Sequence, residues 1–525
     1  MSIYAKEGLM DYINEETAVH PGGIKGRAFW NIHSTQFMYN PCFQFPKAPG
    51  YKKYLFTVTD TNKKVHTFEA DKPTAFLTPV WGDIPEGITE LKVEALDLNG
   101  NKKCLVGART FYKSSPFPGI EHYPEKARSY RECALMAYRY VFNQPFIQYW
   151  LNHSEPDIEY DFNVYPSKTI SRIIEGMIEY SALEPDKKED ALRIATNAAD
   201  FLISITHSDN SPVKGLPPTY YTKFRENIKG RPLDSFNNES GVKRAGSLMM
   251  IYPATVGVAY LKLEEVTGDK KYFDAASKIG EYFIKNVLPN GSWYLFISEK
   301  TGKPIAKNSC TEEIVTKFLS AMYKRTNQKI WEELKEGYHK FIVKNCLETY
   351  NWEGQFEDSE ISSNYSNLSH YPALSMMDYI LENESDNLEM MLEAEDLLRF
   401  AEDQFVVWGN FAPWNEKLSP KHGENIDEFF SPAALEQYGW MFPIDASTAR
   451  IMRAFLDMYK VKKKPVLLEK AKVLADMITR MQNEKTGLIP THWMRKTCIE
   501  DGGNLWINCM LTTAKSMKYI ADFTE

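Results

Sequence analysis

The sequence lacks the marks of several protein classes. It holds no run of about 18 apolar residues, so nothing in it reads as a membrane-spanning helix. Its start, Met1-Ser2-Ile3-Tyr4-Ala5-Lys6-Glu7, has no apolar stretch of the kind a signal peptide needs, and a cytoplasmic location is expected. The seven cysteines lie far apart and none forms a CxxC pair, which reads as reduced, buried thiols. Positive charge is not in excess. Lys and Arg number 62 against 70 Asp and Glu, a net charge of −8, so a nucleic-acid partner is not expected. There is no Walker A loop, no GxGxxG after a strand, no HExxH and no GxSxG. His370 and His492 stand in separate loops without a metal-ligand spacing, and neither a metal nor a cofactor is expected.

What is present is a loose repeat. One unit begins Tyr252-Pro253-Ala254-Thr255, runs as an apolar helical stretch through Val266, and turns at Thr267-Gly268-Asp269-Lys270. A second amphipathic stretch reaches Val287, and Leu288-Pro289-Asn290-Gly291-Ser292-Trp293 closes the unit. Tyr165-Pro166-Ser167, Tyr371-Pro372-Ala373 and Pro443-Ile444-Asp445-Ala446 open further copies. Apolar periodicity predicts helix pairs near 166–183 and 187–206, 253–267 and 269–286, 311–325 and 328–346, 372–384 and 388–405, and 446–460 and 465–482. An early helix near 125–142 and a last one near 503–521 are left to pair with each other. Stacked helical hairpins of this kind share one core.

The segment before the helices has a period of two. Lys53–Thr59 and Lys64–Ala70 flank the turn Asp60-Thr61-Asn62-Lys63. Glu90–Asp97 and Cys104–Phe111 flank Leu98-Asn99-Gly100-Asn101, whose Asn-Gly centre is a hairpin signal. About seven short strands predict a sandwich of immunoglobulin or fibronectin type. The expected division is an extension over 1–26, a β-sandwich over 27–115 and a helical toroid over 116–525, with Pro116-Phe117-Pro118-Gly119 at the junction.

In that order of parts, in unit endings such as Leu288–Trp293, and in Asp501-Gly502-Gly503-Asn504-Leu505-Trp506, the chain resembles the six-hairpin glycosidases. The resemblance implies an (α/α)6 barrel behind an N-terminal β-sandwich. It extends to the bacterial β-glucuronidases of glycoside hydrolase family 154 at the level of architecture, with no catalytic motif carried over. Polysaccharide lyases and sugar epimerases share such toroids.

In a toroid of this kind the cleft lies where loops feed the inner helices. The segments 156–168, 234–254, 305–313, 350–372, 425–447 and 489–506 are expected to converge there. Tyr350-Asn351-Trp352-Glu353-Gly354-Gln355-Phe356-Glu357-Asp358-Ser359-Glu360 is the richest of them. Carboxylates interleaved with aromatics in a desolvated cleft raise one another's pKa, as a general acid requires. Glu353, Glu357 and Asp358 are the leading catalytic candidates. Asp445 joins them, with a helix N-cap as the competing reading. Trp352, Tyr438, Trp440 and Trp493 are candidate sugar platforms, with core packing as the alternative. His370 and His492 are candidate polar contacts. Lys243, Arg244 and Arg495 are candidate partners for a substrate carboxylate, or ordinary surface cations.

Together these point to an exo-acting glycoside hydrolase on oligosaccharides, with a uronic-acid residue as the expected target. The alternatives are a lyase with a Tyr or His base, an epimerase with paired His bases, and a non-catalytic glycan-binding protein. A homo-oligomer stays open.

Overall fold

The structure is a computed structural model. It describes residues 33–34, 36–158, 160–222, 241, 243–358, 367–409, 429–438, 440–494 and 505–525, with the backbone alone for 440–442.

Among the described residues the N-terminal part has seven strands: β1 (Gln36–Phe37), β2 (Cys42–Gln44), β3 (Lys53–Thr59), β4 (Val65–Ala70), β5 (Thr74–Phe76), β6 (Gly87–Leu96) and β7 (Lys102–Lys113). Five of them form one sheet in the order β1-β7-β6-β3-β4, and β2 pairs with β5 as a separate ribbon. The two turns read from the sequence are where the strands reverse. Lys63 takes a positive φ of 65° and donates its backbone N–H to the Asp60 carbonyl at 2.9 Å. Gly100, at φ 78°, closes the β6–β7 hairpin. One face of the sheet is apolar and buried through Tyr54, Phe56, Val58, Leu91 and Val93. The ribbon joins the sheet through Phe43, whose ring meets Phe37 edge-on at 5.5 Å and Phe111 at 5.6 Å.

Behind it stand twelve helices of 13 to 18 residues among the described residues. They are α1 (Tyr130–Phe142), α2 (Pro166–Leu183), α3 (Lys188–Ser204), α4 (Ile251–Thr267), α5 (Lys270–Asn286) and α6 (Ile314–Thr326). They continue as α7 (Lys329–Ile342), α8 (His370–Asn383), α9 (Leu388–Phe405), α10 (Asp445–Lys462), α11 (Pro465–Met481) and α12 (Ile507–Thr524). Consecutive helices pair as the periodicity requires, and α12 packs on α1, so the first and last helices close the ring. The even-numbered helices form an inner ring: α2 packs on α4 and α4 on α6, while α8 packs on α10, α10 on α12 and α12 on α2. α6 faces α8 across an axial cavity. α4 is buried on every side from Ile251 to Leu261, as an inner helix must be, whereas α5 buries a single stripe.

The turn chemistry follows the repeat. Gly268, at φ 71°, ends α4 in the left-handed conformation, and Asp269 caps α5 by accepting from the Lys271 backbone N–H at 3.0 Å. Gly291 closes the unit at φ 87°, where any Cβ would come within 2.4 Å of the Gly337 carbonyl oxygen.

The sheet docks on the end of α9. Asp403 Oδ1 accepts the backbone N–H groups of Met38 at 2.7 Å and Tyr39 at 2.9 Å. Gln404 Nε2 donates to the Gln36 carbonyl at 3.0 Å, and Gln36 Nε2 donates to the Val406 carbonyl at 3.2 Å. Of the described cysteines only Cys104 is exposed; Cys42, Cys133, Cys310, Cys346 and Cys509 are buried. Among the described residues no helix is long and apolar enough to cross a membrane.

Candidate active site

The inner helices begin at one end of the ring, and the first turns of α2, α4, α8 and α10 bring polar side chains together there. The local cause is the opening of each repeat. A proline in the first turn of a helix needs no N–H partner, so Pro166, Pro253 and Pro372 are tolerated there. The preceding tyrosine is then held at the ring's mouth. Tyr165 packs edge-on against Tyr220 at 5.9 Å, Tyr252 donates its hydroxyl to Glu357 Oε2, and the Tyr371 hydroxyl lies 3.5 Å from Ser447 Oγ.

Glu357 is the hub. Its side chain is 2% exposed, its Oε1 is paired with Lys168 Nζ, and its Oε2 accepts from Tyr252. Tyr220 donates to its backbone carbonyl at 2.8 Å. Burial works against the carboxylate, but Lys168 outweighs it and the pKa is lowered. With both oxygens engaged and its charge favoured by Lys168, Glu357 suits an electrostatic anchor better than a proton donor.

Asp358 and Glu436 are different. Both residues keep some solvent exposure, yet their carboxyls are strongly desolvated. Burial, then the Glu357 charge, pushes Asp358 up to about 6. Burial, then Asp358, pushes Glu436 up to about 8. Glu436 sits near the end of β11 (Ala433–Gln437), which pairs with β10 (Val406–Val407) and β12 (Trp440–Pro443). Ser369 Oγ fixes that strand by donating to the Glu436 carbonyl at 2.9 Å.

Asp445 is the first residue of α10 and has no solvent exposure. It is not the N-cap, which is Ile444. Thr513 Oγ1 on α12 donates to its Oδ2 at 2.8 Å, and burial pushes its pKa up to about 8. It acts on Glu436 electrostatically. Arg244 reaches the same place: its charge lowers the pKa of both Asp358 and Tyr220, and its guanidinium lies 5.5 Å from the Phe296 ring centre.

Several candidates lie elsewhere. Glu353 is held at 3.4 Å by Asn308 Nδ2, and burial raises its pKa without a contribution from the other acids, so it is separate from the cluster. Trp352 and Trp493 have no exposure to offer a sugar; Trp493 donates its indole N–H to the Pro490 carbonyl at 3.0 Å. Core packing is the correct reading for both. Tyr438 donates to Gln404 Oε1 at 2.7 Å and stacks on Phe405, which places it toward the sheet junction. His370 is the first residue of α8, not a loop residue, and is wholly buried against Tyr371 and Phe405. Burial and then Arg450 hold it well below the usual imidazole range. His492 stays near the cluster, edge-on to Trp506 at 4.9 Å, with burial pulling its pKa down to about 4. Lys243 is exposed. The Trp440 side chain and Arg495 lie outside the described residues.

Sequence reading missed Lys168, Tyr220, Tyr252, Glu436 and Thr513. The repeat itself carried a signal for both Tyr252, the tyrosine of one Tyr-Pro opening, and Lys168, three residues after the tyrosine of another. Glu436 had none.

The fold is a toroid of six helical hairpins behind a β-rich N-terminal part. No protein-family model and no curated protein matches the sequence. Among solved structures the chain is similar to a family 76 glycoside hydrolase from a bovine Bacteroides thetaiotaomicron strain, with 9% identity over 97% of this chain and 100% of that one, TM-score 0.44. It is similar to cellobiose 2-epimerase from Spirochaeta thermophila, with 12% identity over 75% of this chain and 98% of that one, TM-score 0.49. It is also similar to an unsaturated glucuronyl hydrolase from a Streptococcus agalactiae source, with 10% identity over 75% and 82%, TM-score 0.33. None reaches 0.5, and none bears on the expected kinship with glycoside hydrolase family 154. Architecture and chemistry stand on this chain's own geometry.

Proposed function

We propose that the protein is a glycoside hydrolase acting on oligosaccharides that end in a uronic acid. The observation that carries this reading is the paired environment of Asp358 and Glu436 at the mouth of the ring. Glycoside hydrolysis needs one carboxylic acid to protonate the leaving oxygen and one carboxylate to act as base or nucleophile. Glu436, raised to about 8, holds its proton at neutral pH and is the general acid. Asp358, raised only to about 6, is ionised there and activates water or attacks the anomeric carbon. Burial holds both pKa values up, and the charge of Glu357, paired with Lys168, adds to it.

The other chemistries find less support. A tyrosine base for elimination needs a lowered pKa, yet Tyr252 and Tyr371 are both raised well above the usual value by burial and nearby acids. Paired histidine bases would need His370, which has no exposure.

Arg244 beside Asp358 supports an acidic sugar, since a guanidinium clamps a carboxylate. The test compares p-nitrophenyl glucuronide with the matching neutral glucoside. The wild type is expected to prefer the glucuronide, and Arg244→Ala to lower its kcat/KM by about 10- to 100-fold, as for loss of a charge-assisted hydrogen bond. A preference for the neutral sugar, or equal losses on both substrates, rejects the uronic-acid part of the reading.

A further inference from the structure

Tyr220 joins parts of the mouth that lie far apart in the sequence. It follows α3 and is buried. The neighbouring Tyr221 backbone N–H donates to the Val164 carbonyl at 2.9 Å, which pins this stretch to the residues before α2. The Tyr220 ring packs edge-on against Tyr165 at 5.9 Å. With backbone and ring both held, its hydroxyl has little freedom of direction.

Two partners meet at that hydroxyl. It donates its one proton to the Glu357 carbonyl at 2.8 Å. That carbonyl belongs to the planar peptide unit that joins Glu357 to Asp358, so the bond bears on where Asp358 begins. The hydroxyl's lone pairs are left to accept, and Arg244 is close enough to hydrogen-bond them. Burial raises the phenol's pKa against the pull of Arg244, so the hydroxyl keeps the proton it donates. The chain thus runs from guanidinium N–H to phenol oxygen and from phenol O–H to peptide carbonyl, each donor matched to an acceptor. Hydrogen bonds in series strengthen one another in a buried setting. Lys168 and Tyr252 hold the Glu357 carboxylate, whereas Tyr220 holds its backbone at the bond to Asp358. The charges acting on Asp358 are those of Glu357, Lys168 and Arg244, and Asp358 in turn acts on Glu436.

We propose that Tyr220 is a positioning residue that ties Arg244 to the Glu357–Asp358 peptide, so that the grip on a substrate carboxylate and the placement of Asp358 are set together. This rests on the hydrolytic reading of Asp358 and Glu436. Tyr220→Phe removes the hydroxyl and keeps the ring. A double-mutant cycle with Arg244→Ala, run on kcat/KM for p-nitrophenyl glucuronide, measures the coupling. Tyr220→Phe should lower kcat/KM by about tenfold in the wild-type background, and by no more than about threefold where Arg244 is already Ala. The same cycle is read without substrate from the Asp358 carboxyl titration, followed by carbon-13 NMR. Arg244→Ala should move that titration up by about 1, the low end of what a neighbouring opposite charge does. Tyr220→Phe should move it up by about 0.5, because Arg244 loses its tether, and should add nothing to Arg244→Ala. Equal losses from Tyr220→Phe in the two backgrounds of the kinetic cycle, or equal or absent shifts in the titration, reject the coupling and leave Tyr220 a packing residue. A wild type that does not cleave the glucuronide rejects the functional reading instead, and the titration cycle then decides on Tyr220 by itself.

Discussion

At the scale of single residues, two acids are separated by their surroundings from the one that anchors them. Glu436→Gln and Asp358→Asn should each lower kcat by about 100-fold or more, the usual scale for losing a general acid or base, with circular dichroism unchanged. Stability should move the other way for Glu436. Its folded pKa, about 8, lies above the ordinary carboxyl value of 4.5, so its contribution is complete below about 4.5 and is lost as the pH rises through about 8. Glu436→Gln should therefore raise the melting temperature clearly near pH 8 and little near pH 5. Glu357→Gln should instead destabilise at neutral pH by about 3–5 kcal/mol, because it leaves the Lys168 ammonium buried without its partner; denaturant melts would check it. The sequence showed Glu357 and Asp358 because a loop dense in carboxylates and aromatics stands out. It hid Glu436, which lies in Ala433-Ala434-Leu435-Glu436-Gln437, a short strand with no motif, made acidic-site material only by what folds against it. It misled at Trp352 and Trp493, since an aromatic beside an acid looks the same whether it faces a sugar or a core.

At the scale of elements, the 350–358 loop places two of the three acids, and Gly354 fixes its path. A Cβ there would meet the Phe356 ring at 2.5 Å, Ser369 Cβ at 3.0 Å and the Asn367 carbonyl oxygen at 3.2 Å. The Gly354 backbone N–H donates to the Asn367 carbonyl at 2.7 Å, and Asn367 Nδ2 donates back to Gly354 O at 2.6 Å. Gly354→Ala should displace Glu357 and Asp358 and reduce turnover by about 100-fold, since small misplacements at a reacting centre carry costs of that order. Steady-state kinetics with a parallel thermal melt would separate this from unfolding. The helices themselves were legible. Periodicity and the Gly268-Asp269 turn were enough for α4 and α5, because cap chemistry is local. Helix starts were less so: α6 begins at Ile314 and α12 at Ile507, each a few residues later than periodicity suggested, since Thr311–Glu313 and Leu505–Trp506 are not helical.

At the scale of the whole molecule, the closed ring was readable from the unpaired first and last helices, and α12 against α1 is how the chain resolves them. The strand count was readable too, but its division into a five-stranded sheet and a two-stranded ribbon was not, because strand order depends on contacts far apart in sequence. The sheet is tied to the ring through Asp403, which has no exposure and accepts two backbone N–H groups across the junction. Asp403→Ala should cost about 2–5 kcal/mol by leaving those donors unpaired, read as a lower denaturant midpoint. The central claim is that Glu436 is the protonated acid and Asp358 the ionised partner of one hydrolytic site. The most direct measurement is the pH dependence of kcat/KM for glucuronide hydrolysis by wild type and Glu436→Gln. The wild type should give a bell with limbs near about 6 and about 8, and the limb at higher pH should vanish from the residual activity of the variant. A wild-type profile without those limbs, or a limb at higher pH that survives in Glu436→Gln, would contradict the account.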